Sequence, residues 1–275
     1  MNREEELKIL HNEEIEILKN VLEICNNNNI RTYMLGGTFL GAIRHKGFIP
    51  WDDDIDLGIP REEYEKLLKL CPQYLNKNYR LITLNDEESK YNYLCKIQSD
   101  NVKLYDDGCR IEKTYGAWID IFPLDGMPNN YILRQIHKFN LLKHRAFWKL
   151  TENCGNVAIN NNHRSRIEKI IIFIGLKFKV GNLFDKKREI FKIDKLLKKY
   201  KYEESRYIVN FMGAYKFKEM FERKIFDNST KYKFETLELN GPKDYDFYLN
   251  QLYGYYMTPP NKEERNPHNT KIIEK

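Results

Sequence analysis

Residues 54–59, Asp-Ile-Asp-Leu-Gly-Ile, alternate acidic or small side chains with apolar ones, the period of a β-strand with one buried face. Asp54 and Asp56 therefore point the same way. Two carboxylates so placed repel unless a cation lies between them, and hard divalent ions prefer oxygen ligands, so Mg²⁺ or Mn²⁺ is the expected occupant. Asp52 and Asp53 precede the pair. Counted from Asp52, the acids imitate a calcium loop, with Glu63 at its last position. Its sixth position is Leu57 where such a loop needs glycine, and the alternation running into Pro60 fits a strand followed by a helix better.

Upstream, Arg31–Leu35 reads as a first strand. Gly36 and Gly37 form a turn whose backbone can approach a ligand, and Thr38–Arg44 reads as one or two helical turns whose free amides would take phosphate. Ahead of these, residues 3–26 space Leu7, Leu10, Leu18, Val21, Leu22 and Cys25 as an amphipathic helix of structural role, ended by the asparagine run 26–29. Pro60 opens a further helix to about Leu70. Residues 79–84, 91–98 and 102–105 read as strands separated by polar turns. Ala117–Phe122 is another, followed by a turn at 123–126. Asp120 interrupts that apolar strand, and a buried acid costs several kcal/mol unless it is paired or metal-bound, which makes it the candidate third ligand; the other reading is an acid satisfied by a neighbouring basic side chain or backbone amides.

Residues 131–150 and 164–200 read as basic helices with an asparagine-rich break at 152–163. Residues 131–200 hold 17 Lys/Arg and 5 Asp/Glu, a charge of +12 in a chain of +6, so the remainder is −6. Two readings fit this asymmetry: a surface for an anionic partner, most simply an acidic membrane surface or a lipid-phosphate acceptor, and a solvated helical face. Nucleic acid is not expected, because no nucleic-acid motif accompanies the charge. The apolar block 170–178 fits either a core helix or an interfacial one. The aromatics of 248–260 either pack the C-terminal part or offer faces to a cationic head group.

The five cysteines, Cys25, Cys71, Cys95, Cys109 and Cys154, lack Cys-x-x-Cys spacing, so reduced thiols are expected and zinc is not. With no apolar signal segment and no transmembrane run, the expected location is cytoplasmic, with peripheral contact at the inner membrane face.

Several blocks resemble the LicD-type phosphocholine transferases, relatives of the fukutin-related proteins in the nucleotidyltransferase superfamily. They are Gly36-Gly37-Thr38, Gly41, Arg44, Gly47 and Ile49–Asp56; Ile119–Gly126; and Tyr253-Gly254, Met257, Pro259-Pro260, Arg265 and His268. The resemblance spans about residues 30–270 and is weakest in the basic middle. Phe226-Asp227 and Phe234-Glu235-Thr236 depart from the family's usual Phe-Pro and Phe-Glu-Gly.

The resemblance implies an α/β fold with a mixed sheet: one nucleotidyltransferase-like domain over 1–275. Its core would be about 30–128, with an added helical, basic segment at about 129–205 and a C-terminal segment at about 206–275 completing the site. It also implies metal-dependent transfer of phosphocholine, or a related alcohol phosphate, from CDP-choline or a similar CDP-alcohol to a sugar hydroxyl of a cell-surface glycan precursor, releasing CMP. CDP-ribitol, CDP-glycerol and CDP-ethanolamine stay open as donors, and a lipid-linked glycan acceptor is compatible with such a scheme. Asp54, Asp56 and Asp120 would hold the metal and carry catalysis; Gly36, Gly37, Thr38, Arg44, Lys96 and His268 would bind substrate. A reading from another class is a non-catalytic metal-binding scaffold docked on anionic lipid or polymer.

Overall fold

The computed structural model describes residues 2–86, 89, 95–106, 113–151, 183–261, 265 and 270–274. The chain starts with α1 (Arg3–Asn27), whose first turn is closed by a capping box between Asn2 and Glu5. Its apolar stripe, including Leu10, Ile17, Leu18, Val21 and Cys25, is buried. Next come β1 (Tyr33–Met34), α2 (Gly36–His45), β2 (Asp56–Pro60), α3 (Arg61–Tyr74), β3 (Tyr79–Ile82), β4 (Cys95–Asp106) and β5 (Lys113–Met127). Two helices of the basic middle are described, α4 (Tyr131–Thr151) and α5 (Lys186–Leu197). The remainder comprises β6 (Tyr207–Val209), β7 (Met220–Glu222), the short α6 (Lys224–Asp227), the hairpin β8 (Ser229–Phe234) and β9 (Leu237–Pro242), α7 (Tyr245–Tyr253), and β10 (Thr270–Glu274).

This is an α/β fold with a mixed sheet. Its strand order is β1-β2-β5-β4-β10, with β3 also on β4 and the antiparallel β6–β7 pair carried by the far end of β5. The β2–β5 pairing is parallel; β1–β2 and β4–β5 are antiparallel. The main core holds Phe39, Ile55, Ile59, Ile97, Ile119 and Ile121, together with residues of the C-terminal hairpin and α7. A second cluster joins Leu141 and Trp148 of α4, Ile190, Ile193 and Leu197 of α5, and Val209 of β6.

Several boundaries differ from the sequence reading. Gly36 and Gly37 belong to the start of α2 itself, and Gly36 takes a positive φ of 46° there that a side chain would resist. Asp54 precedes the first ladder residue, Asp56. Pro60 is the last residue of β2 and the residue before α3, and α3 runs on to Tyr74 through Pro72. Residues 95–106 form one strand where two were expected. The intervening polar residues sit where the β4–β5 register shifts, between Gln98 and Lys103, and Gly116 opposite lets the Ser99 carbonyl approach where a Cβ would be blocked. Residues 91–94 and most of 164–200 lie outside the described residues.

The turn expected at 123–126 is strand instead: Pro123 and Leu124 continue the ladder with β2, and Asp125 pairs with Val209. A buried ion pair holds it extended. Arg61 Nε and Nη2 donate to Asp125 Oδ1 and Oδ2 at 2.6 and 2.9 Å, with 4% and 1% of the residues exposed. Burial pushes the Asp125 carboxyl up while Arg61 opposes the shift. Arg61 also reaches Asp194 of α5 at 3.5 Å, so this one guanidinium ties α3, β5 and the basic segment together.

Because removing Asp125 takes away the two short hydrogen bonds of the buried Arg61 guanidinium and leaves it the longer contacts with Glu65 and Asp194, Asp125→Ala should cost about 3 kcal/mol in urea unfolding. Asp125→Ala combined with Arg61→Met should recover part of that loss. A double variant no more stable than Asp125→Ala alone would show that the pair is not what holds this junction.

Candidate active site

The β2–β5 register sets Asp56 opposite Asp120, and β4 sets Lys96 opposite Asp120 on the other side. Asp54 reaches the same place from just outside the ladder, where Asp120 N donates to Ile55 O at 2.8 Å. One ligand oxygen from each of Asp54, Asp56 and Asp120 lies within 4.8 Å of the others. At that separation two full charges repel by about 3.5 kcal/mol at an effective dielectric of about 20. Three such pairs rival the whole stability of a domain, roughly 5–15 kcal/mol. A proton or a cation between these oxygens would relieve that repulsion.

The details fit a cation. Asp120 is 5% exposed; its Oδ2 accepts the Trp118 indole N–H at 3.0 Å, while its Oδ1 has no hydrogen bond and faces the Lys96 ammonium at 3.4 Å. Lys96 is held in turn against the Trp118 ring, 4.1 Å from its centre. Such an oxygen, beside two further carboxylates, is what a hard divalent ion binds. Burial, and then the charges of Asp54 and Asp120, raise the Asp56 pKa well above the carboxylate range.

The start of α2 lies against these acids. A Cβ built on Gly36 would come 3.4 Å from Asp56 Oδ2, and one on Gly37 would come 2.8 Å from Asp52 Oδ2. The two glycines let a helix N-terminus, with its partial positive charge, stand beside the carboxylates. The Gly36 amide donates to Tyr248 Oη at 3.2 Å. The Thr38 hydroxyl accepts the Asp56 N–H at 2.8 Å, so it fixes the strand that presents Asp56.

Arg44 stands at the other end of α2, about 12 Å along the axis from Gly36. It donates to the Tyr256 carbonyl at 2.8 Å, and it and Arg265 both lie near the Trp51 ring. His268 lies outside the described residues. The structure thus brings Asp54, Asp56, Asp120, Lys96, Gly36, Gly37 and Thr38 together and places Arg44 apart.

Two carboxyls that the sequence reading passed over surround the site. Glu14, on the face of α1 read as structural, is fully buried with neither oxygen hydrogen-bonded. Burial, and then Asp54, Asp53, Asp52 and Asp120, raise its pKa well above the usual range. The same helix reaches the acidic loop through His11, whose Nε2 is 2.8 Å from Asp52 O, and through Arg3, 3.4 Å from Asp53 Oδ2. A signal was present: Glu14 sits four residues from both Leu10 and Leu18, an acid on the apolar stripe. Glu219 is also buried, accepting from Tyr215 N at 3.0 Å and Asn210 Nδ2 at 2.8 Å, and burial pushes its pKa up to about 7. No pattern in its own strand-poor segment marks it.

Residues 29–153 match the family described as LicD/FKTN/FKRP, nucleotidyltransferase domain. Over 261 residues, 92% of each chain, the sequence is 30% identical to the lipopolysaccharide cholinephosphotransferase LicD of Haemophilus influenzae. It is 42% identical over 48 residues to the human ribitol 5-phosphate transferase FKRP, covering 18% of this chain and 10% of that one. Among solved structures, the antibiotic-resistance factor ANT(2'')-Ia superposes with a TM-score of 0.27 at 11% identity, covering 67% of this chain and 91% of the other.

The raised carboxyls set the pH dependence of the metal-free protein. A carboxyl raised on folding stabilises fully below its ordinary value, 4.5 for Glu14 and Glu219 and 3.8 for Asp56, and loses that contribution as pH rises through the folded value. Burial lowers the His137 imidazole to about 4, which makes stability rise with pH up to its ordinary 6.5 and offsets the Glu219 trend there, so in thermal melts metal-free stability should fall with pH only above about 6.5. Asp54→Asn should raise the melting temperature at neutral pH by about 5 °C. It should also weaken the stabilisation that Mg²⁺ or Mn²⁺ gives the parent. Melting temperatures that are flat with pH, or lower for Asp54→Asn, would contradict the repulsion.

Proposed function

Since the chain belongs to the LicD family, we propose that it is a transferase moving an alcohol phosphate, foremost phosphocholine, from a CDP-alcohol to a sugar hydroxyl of a cell-surface glycan precursor, with CMP as the second product. The observation that carries the chemistry is the junction of Asp54, Asp56 and Asp120, with an Asp120 oxygen that accepts no hydrogen bond and faces the Lys96 ammonium. Choline is favoured over ribitol because the likeness to the cholinephosphotransferase runs over 92% of the chain and that to the ribitol 5-phosphate transferase over 18%. CDP-ribitol, CDP-glycerol and CDP-ethanolamine are the alternative donors.

The acceptor oxygen attacks the phosphorus that bears the alcohol. The bond from that phosphorus to the bridging oxygen breaks, CMP departs with the electron pair, and the hydroxyl proton passes to Asp120. Asp54, Asp56 and Asp120 would hold Mg²⁺ or Mn²⁺, which supplies neutralisation of the diphosphate and of the charge that grows on the leaving oxygen. Lys96 holds its ammonium beside Asp120 through the Trp118 ring, where it would meet an equatorial phosphate oxygen of a bound donor. The α2 amides add partial positive charge on the side of Asp56. Thr38 and Trp118 position the carboxylates, each through one hydrogen bond.

Incubation with CDP-choline, Mg²⁺ and a panel of glycan acceptors should release CMP and label an acceptor with phosphocholine. Asp54→Ala, Asp56→Ala and Asp120→Ala should each lower the rate roughly a hundredfold or more without unfolding the chain. Lys96→Met should lower kcat more than it raises KM, because its charge meets phosphate oxygens most strongly in the transition state. Absence of CMP with every CDP-alcohol would leave the scaffold reading, in which Asp120 has no chemical task.

A further inference from the structure

Helix α4 carries two apolar faces. One, with His137, Leu141 and Trp148, is buried against α5 and β6. The other lies about 150° around the helix, at 3.6 residues per turn, and consists of Ile132, Ile136 and Phe139. These side chains are 67%, 53% and 67% exposed. Tyr131, Leu133 and Leu142, also exposed, widen it. Large apolar side chains scattered singly over a surface are ordinary, but a contiguous face along three helical turns is not.

The charge of the same helix indicates what covers that face. From Tyr131 to Thr151 it contains Arg134, Lys138, Lys143, Arg145 and Lys149 and not one aspartate or glutamate. Lys143 falls within the exposed face itself, and its ammonium bonds the uncharged Asn140 side chain at 3.4 Å. Arg134 is held by the Pro128 and Asn129 carbonyls and by the Tyr207 ring, which fix the guanidinium without neutralising it. An apolar face with basic residues in and beside it, on a helix packed firmly by its opposite side, is the pattern of an interfacial helix lying on an anionic bilayer. No helix among the described residues is long and apolar enough to cross a membrane, so contact through this face would be peripheral.

We propose that the Ile132–Ile136–Phe139 face of α4 is a membrane-docking surface that seats the protein on anionic lipid, with the apolar side chains entering the headgroup layer and the basic ones meeting lipid phosphates. The inference stands on α4 alone and goes beyond the transfer reaction. If the chain also transfers an alcohol phosphate, docking would bring a lipid-borne acceptor within reach. Asp120 lies seven residues up β5 from Met127, about 23 Å of strand, and α4 begins just beyond that end.

The test is co-sedimentation of the full chain with vesicles of phosphatidylcholine alone and of phosphatidylcholine mixed with phosphatidylglycerol, at low and high salt. Binding should require phosphatidylglycerol and weaken as salt rises. Ile136→Glu combined with Phe139→Glu should lower the partition coefficient roughly tenfold or more. Lys143→Glu should lower it less. Neither should alter the melting temperature or, on a soluble acceptor, CMP release. Equal binding to both vesicle types, or to neither, would overturn the proposal. If the double variant dissociates a dimer present in solution, a second copy covers the face; if it lowers the melting temperature, the chain's own residues do. Either outcome rejects lipid as the occupant.

Discussion

The parallel pairing of β2 with β5 is the constraint on which the site depends. It sets Asp56 opposite Asp120, and a shift of one residue in that register would turn one of the two carboxylates to the other face of the sheet. The neighbouring elements fix this register. Thr38 accepts the Asp56 N–H, Leu35 N donates to Asp56 O, and farther along the ladder the Arg61–Asp125 pair holds β5 extended past Pro123. The structure thus accepts mutual repulsion among three acids at one point and offsets it with hydrogen bonds and a buried ion pair around that point.

The shell around the acids explains why such a cluster coexists with a fold. Glu14 and Asp53 are buried beside it, and Arg3, His11 and Lys96 bring polar or basic groups against it from α1 and β4. Removing charges by protonation relieves the repulsion at acidic pH, and a divalent ion would relieve it at neutral pH with the carboxylates ionised. The family membership and this electrostatic balance point the same way, although one comes from sequence likeness and the other from the geometry of oxygen atoms.

The basic middle divides into two physical situations. One side of α4, with α5, is fastened to the core through Leu141, Trp148, Ile190, Ile193 and Leu197, and α5 is drawn in further by Asp194 at Arg61. The opposite side of α4 presents apolar groups to solvent. A net charge of +12 over residues 131–200 alone is compatible with a solvated helical face; the exposed apolar stripe on α4 is the added observation from which the docking proposal is argued.

The sequence by itself determined the local chemistry: alternation around Asp54 and Asp56, an acid within the apolar Ala117–Phe122 run, glycines ahead of a short helix, and an amphipathic first helix. Each is a matter of period and residue type over a few positions, which is why the α/β class and the acids that meet were legible. The resemblance to the LicD family rests on the glycine and aspartate blocks among these and on a C-terminal block from Tyr253 to His268. Only the tertiary structure decided the partners across distance: Lys96 and Trp118 flanking Asp120, Arg61 straightening the Pro-Leu-Asp-Gly segment into strand, and Glu14 carried by α1 to an acidic loop some forty positions away. Long-range burial and pairing are set by how elements pack, and local periodicity carries no record of which element a buried side chain will face.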